Sequence, residues 1–539
     1  MQRVQNLLNR FLESKKYFWV VLALLFIVSR MATWFYPYDS DHWIFYYVGK
    51  AVANGQLLYV NAWDHKPPLI FEFNALMHLL FGGNLILHRI FLTALAILDI
   101  FLFYKLTNIF TKEFFARNAD KITRVALLLY VFWRSLSQFT SSANNTENIG
   151  LIFLLLMYLA FFKFYSSLSS RVKKSEAEGS LKNNEKKGFL HSPHAQVSRN
   201  DKSGYIYLLL SGICLSVLFY LKPNFSLLSL PIIIEIFLLS YRSIKKFVMN
   251  YLVFGIPFIL QTAFWILYFK SQNALEDFWI ASFAFSSAYA KSTWSGNVSP
   301  QKVFIVMLLP LAIPLLIFAY RFLRDFKKIR TDNTYGFLFF MFLSSLALAF
   351  GLGSFYPYYF LILLPSFILI IAYSGEVFLK IGKPKNLVLV LLLLGGMVVS
   401  LGISTKQLLN SFSGSVKSQL NEYQQIANYV KANSNKDEKI VFYDYGAVMY
   451  QLAERGSGSR FISASILLLD ERDQYGFGLS DAFINDLEKS KPKYWIISKD
   501  EDSLYYQNKK IILYMLNNFR QDKEFDDYIV LKNKDFCRN

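Results

Sequence analysis

The sequence predicts a polytopic α-helical membrane protein of about eleven transmembrane helices, with a soluble α/β domain at its C-terminal end. Hydrophobic residues make up 54% of the 539-residue chain and aromatic residues 18%, and the mean hydropathy is +0.30. Apolar runs close to the ~20 residues that cross ~30 Å of hydrocarbon recur through residues 1–403. From about residue 404 the composition becomes that of a soluble domain. The chain therefore divides into a membrane domain, 1–403, and a C-terminal domain, 404–539.

Apolar windows in the membrane domain give the predicted spans. The stretch 67–83 is short for a span and contains Glu72 and His78. We expect it to form an interfacial or re-entrant helix started by Pro67 and Pro68, where proline loses no helical hydrogen bond. The predicted spans are 17–37, 85–107, 123–141, 149–165, 204–221, 225–241, 247–269, 302–320, 334–352, 358–375 and 387–403.

The distribution of lysine and arginine supports a topology in which 67–83 does not cross. With the N-terminus in the cytoplasm, the inner segments then hold 26 lysines and arginines and the outer loops hold 5. Cytoplasmic loops are the ones that carry this excess. The formal charge of +19 is thus a topology signal, and no nucleic-acid partner is expected. An odd number of spans places the C-terminal domain outside the cytoplasm.

Two soluble segments have distinct compositions. The cytoplasmic loop 166–203 is rich in Ser, Lys, Asn and Glu, which predicts a disordered tether. The C-terminal domain alternates strand, helix and strand patterns, which predicts a small α/β domain. It has no glycine-rich phosphate loop. Its predicted elements are a helix in 421–434, a strand in 438–444, a helix in 446–456 ending at Gly456 and a strand in 492–498, with Asp444 a candidate by position alone.

Ionisable residues gather on the predicted outer face. Groups of this kind at membrane depth are costly unless they are paired or face water, so they are functional candidates. Each also has an ordinary interpretation: the cations can snorkel to the interface, Asp41 and Glu147 can begin helices, and Asp64 can pair with Lys66. The candidates are Asp39, Asp41, His42, Asp64, His65 and Lys66 in the first outer loop, 38–84, with Arg89, Glu147 and Lys222 beyond it.

The combination of clustered cations and carboxylates suits group transfer from an anionic lipid carrier. Fixed cations hold a phosphate leaving group and stabilise the charge that develops on it. A nearby carboxylate takes the proton of an attacking hydroxyl, which contributes ~10²–10⁴-fold to the rate. No Walker loop or dinucleotide fingerprint is present for a soluble nucleotide donor.

Several motifs together resemble the membrane glycosyltransferases of the GT-C type, in the branch that contains protein O-mannosyltransferases and the lipid A aminoarabinose transferase. The first outer loop is the most specific of them, and the resemblance covers about 400 residues. The motifs are "DSDHWIFYYVGKAVANGQLLYVNAWDHKPPLIFEFNAL", "LHRIF", "NNTEN", "YLKPNFSLLSLP" and "GSFYPYYFLILLP".

The resemblance implies transfer of a sugar from a polyprenyl-phosphate donor to an acceptor outside the cytoplasm. It implies an aspartate base in the first outer loop, which the distance to Gly49 makes Asp41, with Asp39 its neighbour. Many relatives have an Asp-Glu pair where this chain reads Asp-Ser-Asp-His, so the choice between the two stays open. The resemblance also implies donor-phosphate contacts from Lys66, Arg89 and Lys222, with His65 beside them, and a sugar or metal contact from Glu147.

The sequence does not decide whether the site binds a metal ion or whether the outer loop 270–301 is a lid. Asp39, Asp41 and Glu147 offer oxygen ligands to a divalent cation, but no firm metal site is predicted and metal-free catalysis is preferred. The outer loop 270–301 mixes aromatic and small polar residues, which suits either a membrane-surface lid or a plain connector.

We therefore expect a multi-pass protein of a bacterial inner or plasma membrane that glycosylates a lipid, glycan or protein hydroxyl. Its active site and C-terminal domain are expected to be extracytoplasmic. The alternatives are a flippase or transporter of polyprenyl-linked glycans, and a polymerase or ligase of such glycans. Little charge is predicted at mid-span beyond Asp99 and Glu235, which argues against a transporter.

Overall fold

The computed structural model describes most of both predicted domains. Within them, isolated positions between 395 and 409 are also described. The continuous described segments are 13–35, 40–114, 118–136, 144–177, 202–292, 333–351, 357–373, 414–444, 447–467, 476–500 and 508–537.

The secondary-structure elements of the membrane domain in these segments are all helices, with turns and isolated β-bridges in 54–68. Three short elements depart from α geometry: 3₁₀ helices at Pro223–Ser229 and Pro357–Leu361, and a π-helical turn at Ile280–Ala284. The α-helices are α1 Lys15–Phe35, α2 Ser40–Ala53, α3 Leu69–Phe81, α4 Leu85–Phe114, α5 Ala119–Ser135, α6 Thr146–Ala177, α7 Lys202–Leu221, α8 Leu230–Ser240, α9 Ile244–Ser271, α10 Leu275–Trp279, α11 Phe285–Ser292, α12 Asn333–Gly351 and α13 Leu364–Tyr373.

Among the described residues, five helical segments are long and apolar enough to cross a membrane. They match five of the predicted spans, and α1, α5, α12 and α13 overlap four more. The predicted span 302–320 lies outside the described residues, and 387–403 lies mostly outside them. The five segments are Leu85–Glu113, Thr146–Ser167, Gly204–Leu221, Pro223–Ser240 and Ile244–Ser271.

The helices pack closely where small residues allow it. At the crossing of α7 and α9, a Cβ atom on Gly212 would lie 2.9 Å from the carbonyl carbon of Phe254, so only glycine fits there without a shift of backbone. Small residues at helix crossings are the usual device by which membrane helices approach each other.

The doubtful stretch 67–83 contains the helix α3, which has 13 residues. At 1.5 Å per residue it is about 20 Å long, too short for ~30 Å of hydrocarbon. The helix starts at Leu69, directly after the two prolines, and Gly82 ends it in the left-handed conformation with φ 57°. Its length agrees with the predicted interfacial helix, while its position relative to a bilayer stays a prediction.

The predicted tether 166–203 differs from the structure at both ends. Helix α6 continues to Ala177, well past the predicted span 149–165, and α7 begins at Lys202, just before the predicted span 204–221. Residues 178–201 lie outside the described part of the chain.

The C-terminal domain has the predicted strand–helix–strand alternation. Strands β1 Ile440–Tyr443 and β2 Tyr494–Ser498 pair in parallel, with helices α14 Gly414–Ala432, α15 Val448–Ala453 and α16 Leu479–Ser490 around them. Two features differ from the prediction. An antiparallel hairpin follows helix α17 Lys509–Asn518 and gives a sheet of order β1-β2-β4-β3, with β3 Phe519–Glu524 and β4 Tyr528–Asn533.

The second difference concerns the end of α15. The prediction that this helix ends at Gly456 is wrong, because Glu454 takes the left-handed conformation with φ 51° and stops the helix at Ala453. The Glu454 carboxylate accepts a hydrogen bond from Lys431 at 2.7 Å. Asp444, the positional candidate after β1, accepts a hydrogen bond from the Tyr528 hydroxyl.

Direct contacts join the C-terminal domain to the first outer loop. The backbone N–H of Trp63 donates to the carbonyl of Arg460 at 2.9 Å, and that of Ser457 donates to the Tyr47 hydroxyl at 2.8 Å. The rings of Trp63 and Phe461 lie 5.4 Å apart. The domain therefore sits at the same end of the helical bundle as the loop that carries most of the candidate site residues.

Candidate active site

The first outer loop folds as two helices joined by a short buried segment. Helices α2 and α3 approach so closely at Gly49 that a Cβ there would lie 2.8 Å from the carbonyl carbon of Asn74. The Asn74 side chain donates to Ile70 O at 2.8 Å and exchanges hydrogen bonds with the Asn144 side chain. This polar contact fixes the loop against the start of α6.

Asp41 is the second residue of α2, where the helix dipole favours a carboxylate. Its Oδ2 accepts a hydrogen bond from the Tyr358 hydroxyl at 3.3 Å. The other candidate base, Asp39, lies outside the described residues. Asp41 is thus held by a residue 317 positions away in the sequence.

The segment Asp64–Lys66 lies between α2 and α3 and is largely buried. The Lys66 ammonium is 2.6 Å from Nε2 of His65. Burial, together with the charges of Lys66 and Lys222, lowers the pKa of His65 well below its usual range. The imidazole is therefore neutral at pH 7 and accepts a hydrogen bond from the lysine at Nε2.

Asp64 is buried beside these cations. Burial raises its pKa to about 6, against the opposing effects of the Lys66 charge and of hydrogen bonds from the backbone N–H groups of Lys66 and His65. The carboxyl oxygen Oδ1 makes no hydrogen bond within the described part of the chain. The Asp64 carboxyl therefore takes up its proton at a higher pH than an ordinary aspartate does. The predicted pairing of Asp64 with Lys66 is replaced by the contact of the Lys66 ammonium with His65.

Glu147 and Lys222 form a buried ion pair. Glu147 lies in the first turn of α6 and Lys222 follows the last residue of α7. Their Oε1 and Nζ atoms are 2.6 Å apart, with 2% and 13% of the two side chains exposed. Thr146 donates to the second carboxylate oxygen at 2.9 Å. Glu147 is thus a partner of Lys222 as well as a helix-start residue.

Two adjacent tyrosines connect the aspartate with this ion pair. In the 3₁₀ helix Pro357–Leu361, Tyr358 contacts Asp41, while the ring of Tyr359 lies 3.7 Å from Lys222 Nζ. A cation over an aromatic face is stabilised by the ring quadrupole. Neither tyrosine was among the predicted site residues, although both lie in the motif "GSFYPYYFLILLP".

Arg89 lies in the second turn of α4 and contacts the end of α1. Its Nη1 donates to the backbone carbonyl of Trp34. Burial, with His88 and the charge of Arg89, lowers the pKa of His42, the residue after Asp41, well below its usual range. Arg89 therefore lies near His42, and Lys66 and Lys222 both lie near His65.

The predicted lid segment is helical from Leu275 to Ser292 and packs on the first outer loop. Ser282 donates to the Tyr59 hydroxyl at 3.1 Å and Ser286 donates to the carbonyl of His65 at 2.8 Å. Tyr59 in turn donates to the carbonyl of Lys66 at 2.8 Å. These bonds hold the backbone of His65 and Lys66 in place. The rest of the predicted lid, residues 293–301, lies outside the described residues.

The described residues contain no group of three or more His, Cys, Asp or Glu side chains that suits a metal ion. Both carboxylate oxygens of Glu147 are engaged, one by Lys222 and one by Thr146. This bonding suits orientation of a lysine better than ligation of a cation.

Comparison with solved structures shows the fold. The chain is similar to the oligosaccharyltransferase of Archaeoglobus fulgidus tethered with an acceptor peptide (TM-score 0.52, 12% identity, 95% of this chain and 73% of that chain). It is similar to ArnT from Cupriavidus metallidurans bound to undecaprenyl phosphate (TM-score 0.52, 12% identity, 95% and 97%). It is also similar to the oligosaccharyltransferase AglB from A. fulgidus in complex with an inhibitory peptide and a dolichol-phosphate (TM-score 0.51, 12% identity, 93% and 72%).

Two sequence comparisons add to this. Residues 420–534 match a family model described as "Putative competence-induced protein Ccs4 C-terminal domain". A search of curated protein sequences gives no match. The structural likenesses confirm the predicted fold class: a polytopic helical domain with the fold of these solved structures, followed by a small C-terminal sheet domain.

Proposed function

We propose that this protein transfers a sugar from a polyprenyl-phosphate donor to an acceptor hydroxyl at the outer face of the membrane. The observation that carries the proposal is the turn at Tyr358 and Tyr359, which joins a carboxylate, Asp41, to a buried cation, Lys222. A group-transfer reaction of this kind needs a base and a phosphate-binding cation in one site.

Asp41 is the proposed base. The acceptor oxygen attacks the anomeric carbon of the sugar, its proton goes to the Asp41 carboxylate, and the bond between that carbon and the phosphate oxygen breaks. The hydrogen bond from Tyr358 fixes the orientation of the carboxylate, so less reorganisation is needed at the moment of proton transfer. Asp39 remains the alternative base.

Lys66, Lys222 and Arg89 are the proposed donors to the departing phosphate, which leaves with the bonding electron pair. Neutral His65 orients the Lys66 ammonium, and Glu147 orients that of Lys222. Preorganised cations in a water-poor site stabilise developing charge without further rearrangement. The solved structures of similar fold support a lipid-phosphate ligand, because one is bound to undecaprenyl phosphate and another to a dolichol-phosphate.

The outer location of the site rests on the charge distribution. The site and the C-terminal domain lie at one end of the bundle, and the excess of lysine and arginine in the predicted inner segments supports an outer location for that end. The proposed acceptor is a lipid, glycan or protein hydroxyl in a bacterial cell envelope, and a divalent cation is not required by the proposed chemistry.

The test measures release of undecaprenyl phosphate in proteoliposomes. The donors are undecaprenyl-phosphate mannose, glucose and aminoarabinose, each supplied with an extract of cell-envelope acceptors. With any donor that the parent protein consumes, Asp41→Asn should reduce release by ~10²–10⁴-fold, as expected for loss of a general base. Asp526→Asn, at an exposed residue of the C-terminal domain, is the control. Full activity of both Asp41→Asn and Asp39→Asn would eliminate the proposed base.

A further inference from the structure

A second group of charged residues lies inside the helical bundle, apart from the candidate active site. It consists of Arg30 on α1, Asp99 on α4 and Arg134 on α5. Their exposed fractions are 3%, 0% and 2%. The proposed transfer reaction uses none of them, and the prediction of little mid-span charge beyond Asp99 and Glu235 is wrong, because Arg30 and Arg134 are buried within the helices of two predicted spans.

One of the two arginines, Arg134, is bonded directly to the single carboxylate of this group through one of its oxygens. Arg134 donates to Asp99 Oδ2 from Nε at 2.8 Å, and its Nη2 lies 2.6 Å from the same oxygen. The Tyr130 hydroxyl lies 3.4 Å from Oδ1, and its ring stacks on Phe103 with centroids 3.8 Å apart. Asp99 and Arg134 therefore neutralise each other.

Arg30, the other arginine, gives the group a net positive charge. Nε and Nη1 of Arg30 are buried and make no hydrogen bond to the described part of the chain, and the same holds for Nη1 of Arg134. The Ser135 hydroxyl, beside Arg134, is also buried without a hydrogen-bond partner among the described residues. Two guanidinium groups thus share one carboxylate, and several strong donors face inward without an acceptor in the described segments.

The group lies below the candidate active site along the same two helices. Arg30 precedes Trp34 by one helical turn, about 6 Å along the axis, and the Trp34 carbonyl accepts a hydrogen bond from Arg89. Asp99 follows Leu85, the first residue of α4, by 14 positions, which is about 21 Å along that helix. Along these helices the group therefore lies deeper in the bundle than Arg89.

A charged guanidinium at this depth is unfavourable unless an anion accompanies it, and intramembrane charges commonly mark ligand sites. Guanidinium donors match the oxygens of phosphate in spacing and direction. We propose that Arg30 and Nη1 of Arg134, with the Ser135 hydroxyl, bind a phosphate monoester at a second site. The phosphate is either the head group of a membrane lipid or inorganic phosphate. The proposal does not depend on the proposed transfer reaction.

The test measures thermal unfolding of the full chain in nanodiscs. Phosphatidylcholine discs are compared with discs that contain dioleoyl phosphatidic acid, and with phosphatidylcholine discs in sodium phosphate. We expect phosphatidic acid to raise the unfolding temperature of the parent protein. In Arg30→Met the apparent affinity for phosphatidic acid should fall by about tenfold or more, because the donors and the excess charge are lost. Arg242→Met removes an exposed arginine just after α8 and should keep the parental affinity.

Further variants test whether the response to phosphatidic acid comes from this site or from the proposed donor site. Asp99→Asn adds one net positive charge and should bind phosphatidic acid more tightly than the parent. Lys222→Met should keep the Arg30-dependent response, since Lys222 belongs to the proposed donor site. If Arg30→Met does not fold, Arg30→Lys keeps the charge but not the fork of donors, and should bind several-fold more weakly.

The outcomes are distinguishable. A response to inorganic phosphate that depends on Arg30 supports the site and identifies free phosphate as its ligand, whereas a response only to phosphatidic acid identifies a lipid. Unchanged affinity in Arg30→Met or Arg30→Lys, or a response lost in Lys222→Met instead, would overturn the proposal.

Discussion

Two buried ion pairs in the described part of the membrane domain differ in how their charges balance. Glu147 and Lys222 are matched one to one, and the lysine also has an aromatic face beside it. Asp99 and Arg134 are matched as well, but Arg30 adds a charge with no counterpart in the described residues. A matched pair at the end of the bundle is electrically neutral, and the proposed reaction requires its lysine to turn to the phosphate of the donor. An unmatched charge within the bundle indicates that something else binds there.

Removing Lys222 should give the largest effect on transfer. Lys222→Met removes a cation from the departing phosphate, and we expect the rate of undecaprenyl phosphate release to fall by ~10²–10³-fold. It also leaves Glu147 buried without its cation, so Lys222→Met/Glu147→Gln should unfold at a higher temperature than Lys222→Met. Parental activity in Lys222→Met would show that this pair is purely structural.

Breaking the inner pair should affect stability most. Arg134→Met leaves the Asp99 carboxylate buried without its partner, and loss of one member of a buried pair costs about 3–5 kcal/mol. We expect a large drop in thermal stability in detergent, and partial recovery in Arg134→Met/Asp99→Leu. Equal stability of Arg134→Met and the parent would mean that Arg30 can replace Arg134.

Asp64 should make stability depend on pH. Its pKa is raised from 3.8 to about 6 in the folded protein, so the protonated form is favoured by folding. The stabilisation is complete below pH ~4 and is lost as the pH rises through ~6, which amounts to about 3 kcal/mol. Asp64→Asn should remove this decline in thermal unfolding measured from pH 4 to 7.5, and the exposed control Asp526→Asn should not. A parental decline in Asp64→Asn would contradict the assignment.

Substitutions at Tyr358 and Tyr359 should have the smallest effect on the transfer rate. Tyr358→Phe deletes the hydrogen bond to Asp41, worth about 0.5–1.5 kcal/mol, so the transfer rate should fall by a few-fold to about tenfold. Tyr359→Phe keeps the ring beside Lys222 and should be near the parental rate, whereas Tyr359→Leu should lose several-fold. Equal transfer rates for Tyr358→Phe and Tyr359→Phe would show that the Tyr358 hydroxyl does not assist Asp41, the proposed base.

Much of the fold could be predicted from local patterns in the sequence. The apolar spans and the alternation of the C-terminal domain follow from periodicity within about 5–20 consecutive residues, and β1, β2 and α14 lie where the sequence predicted them. The hairpin of β3 and β4 was missed, since most of β3 is exposed and polar. The end of α15 was missed because a glutamate adopts a conformation usually left to glycine.

The sequence by itself determined that charged groups gather at the ends of apolar helices, because a bilayer restricts where charges can lie. It placed Asp41, Lys66, Glu147 and Lys222 on one predicted face without pairing them. Only the tertiary structure decided which of them meet: Glu147 with Lys222 across 75 residues, and Asp41 with Tyr358 across 317. Such pairings depend on helix packing over long separations, which no local pattern encodes, and the same is true of the unmatched charge of Arg30.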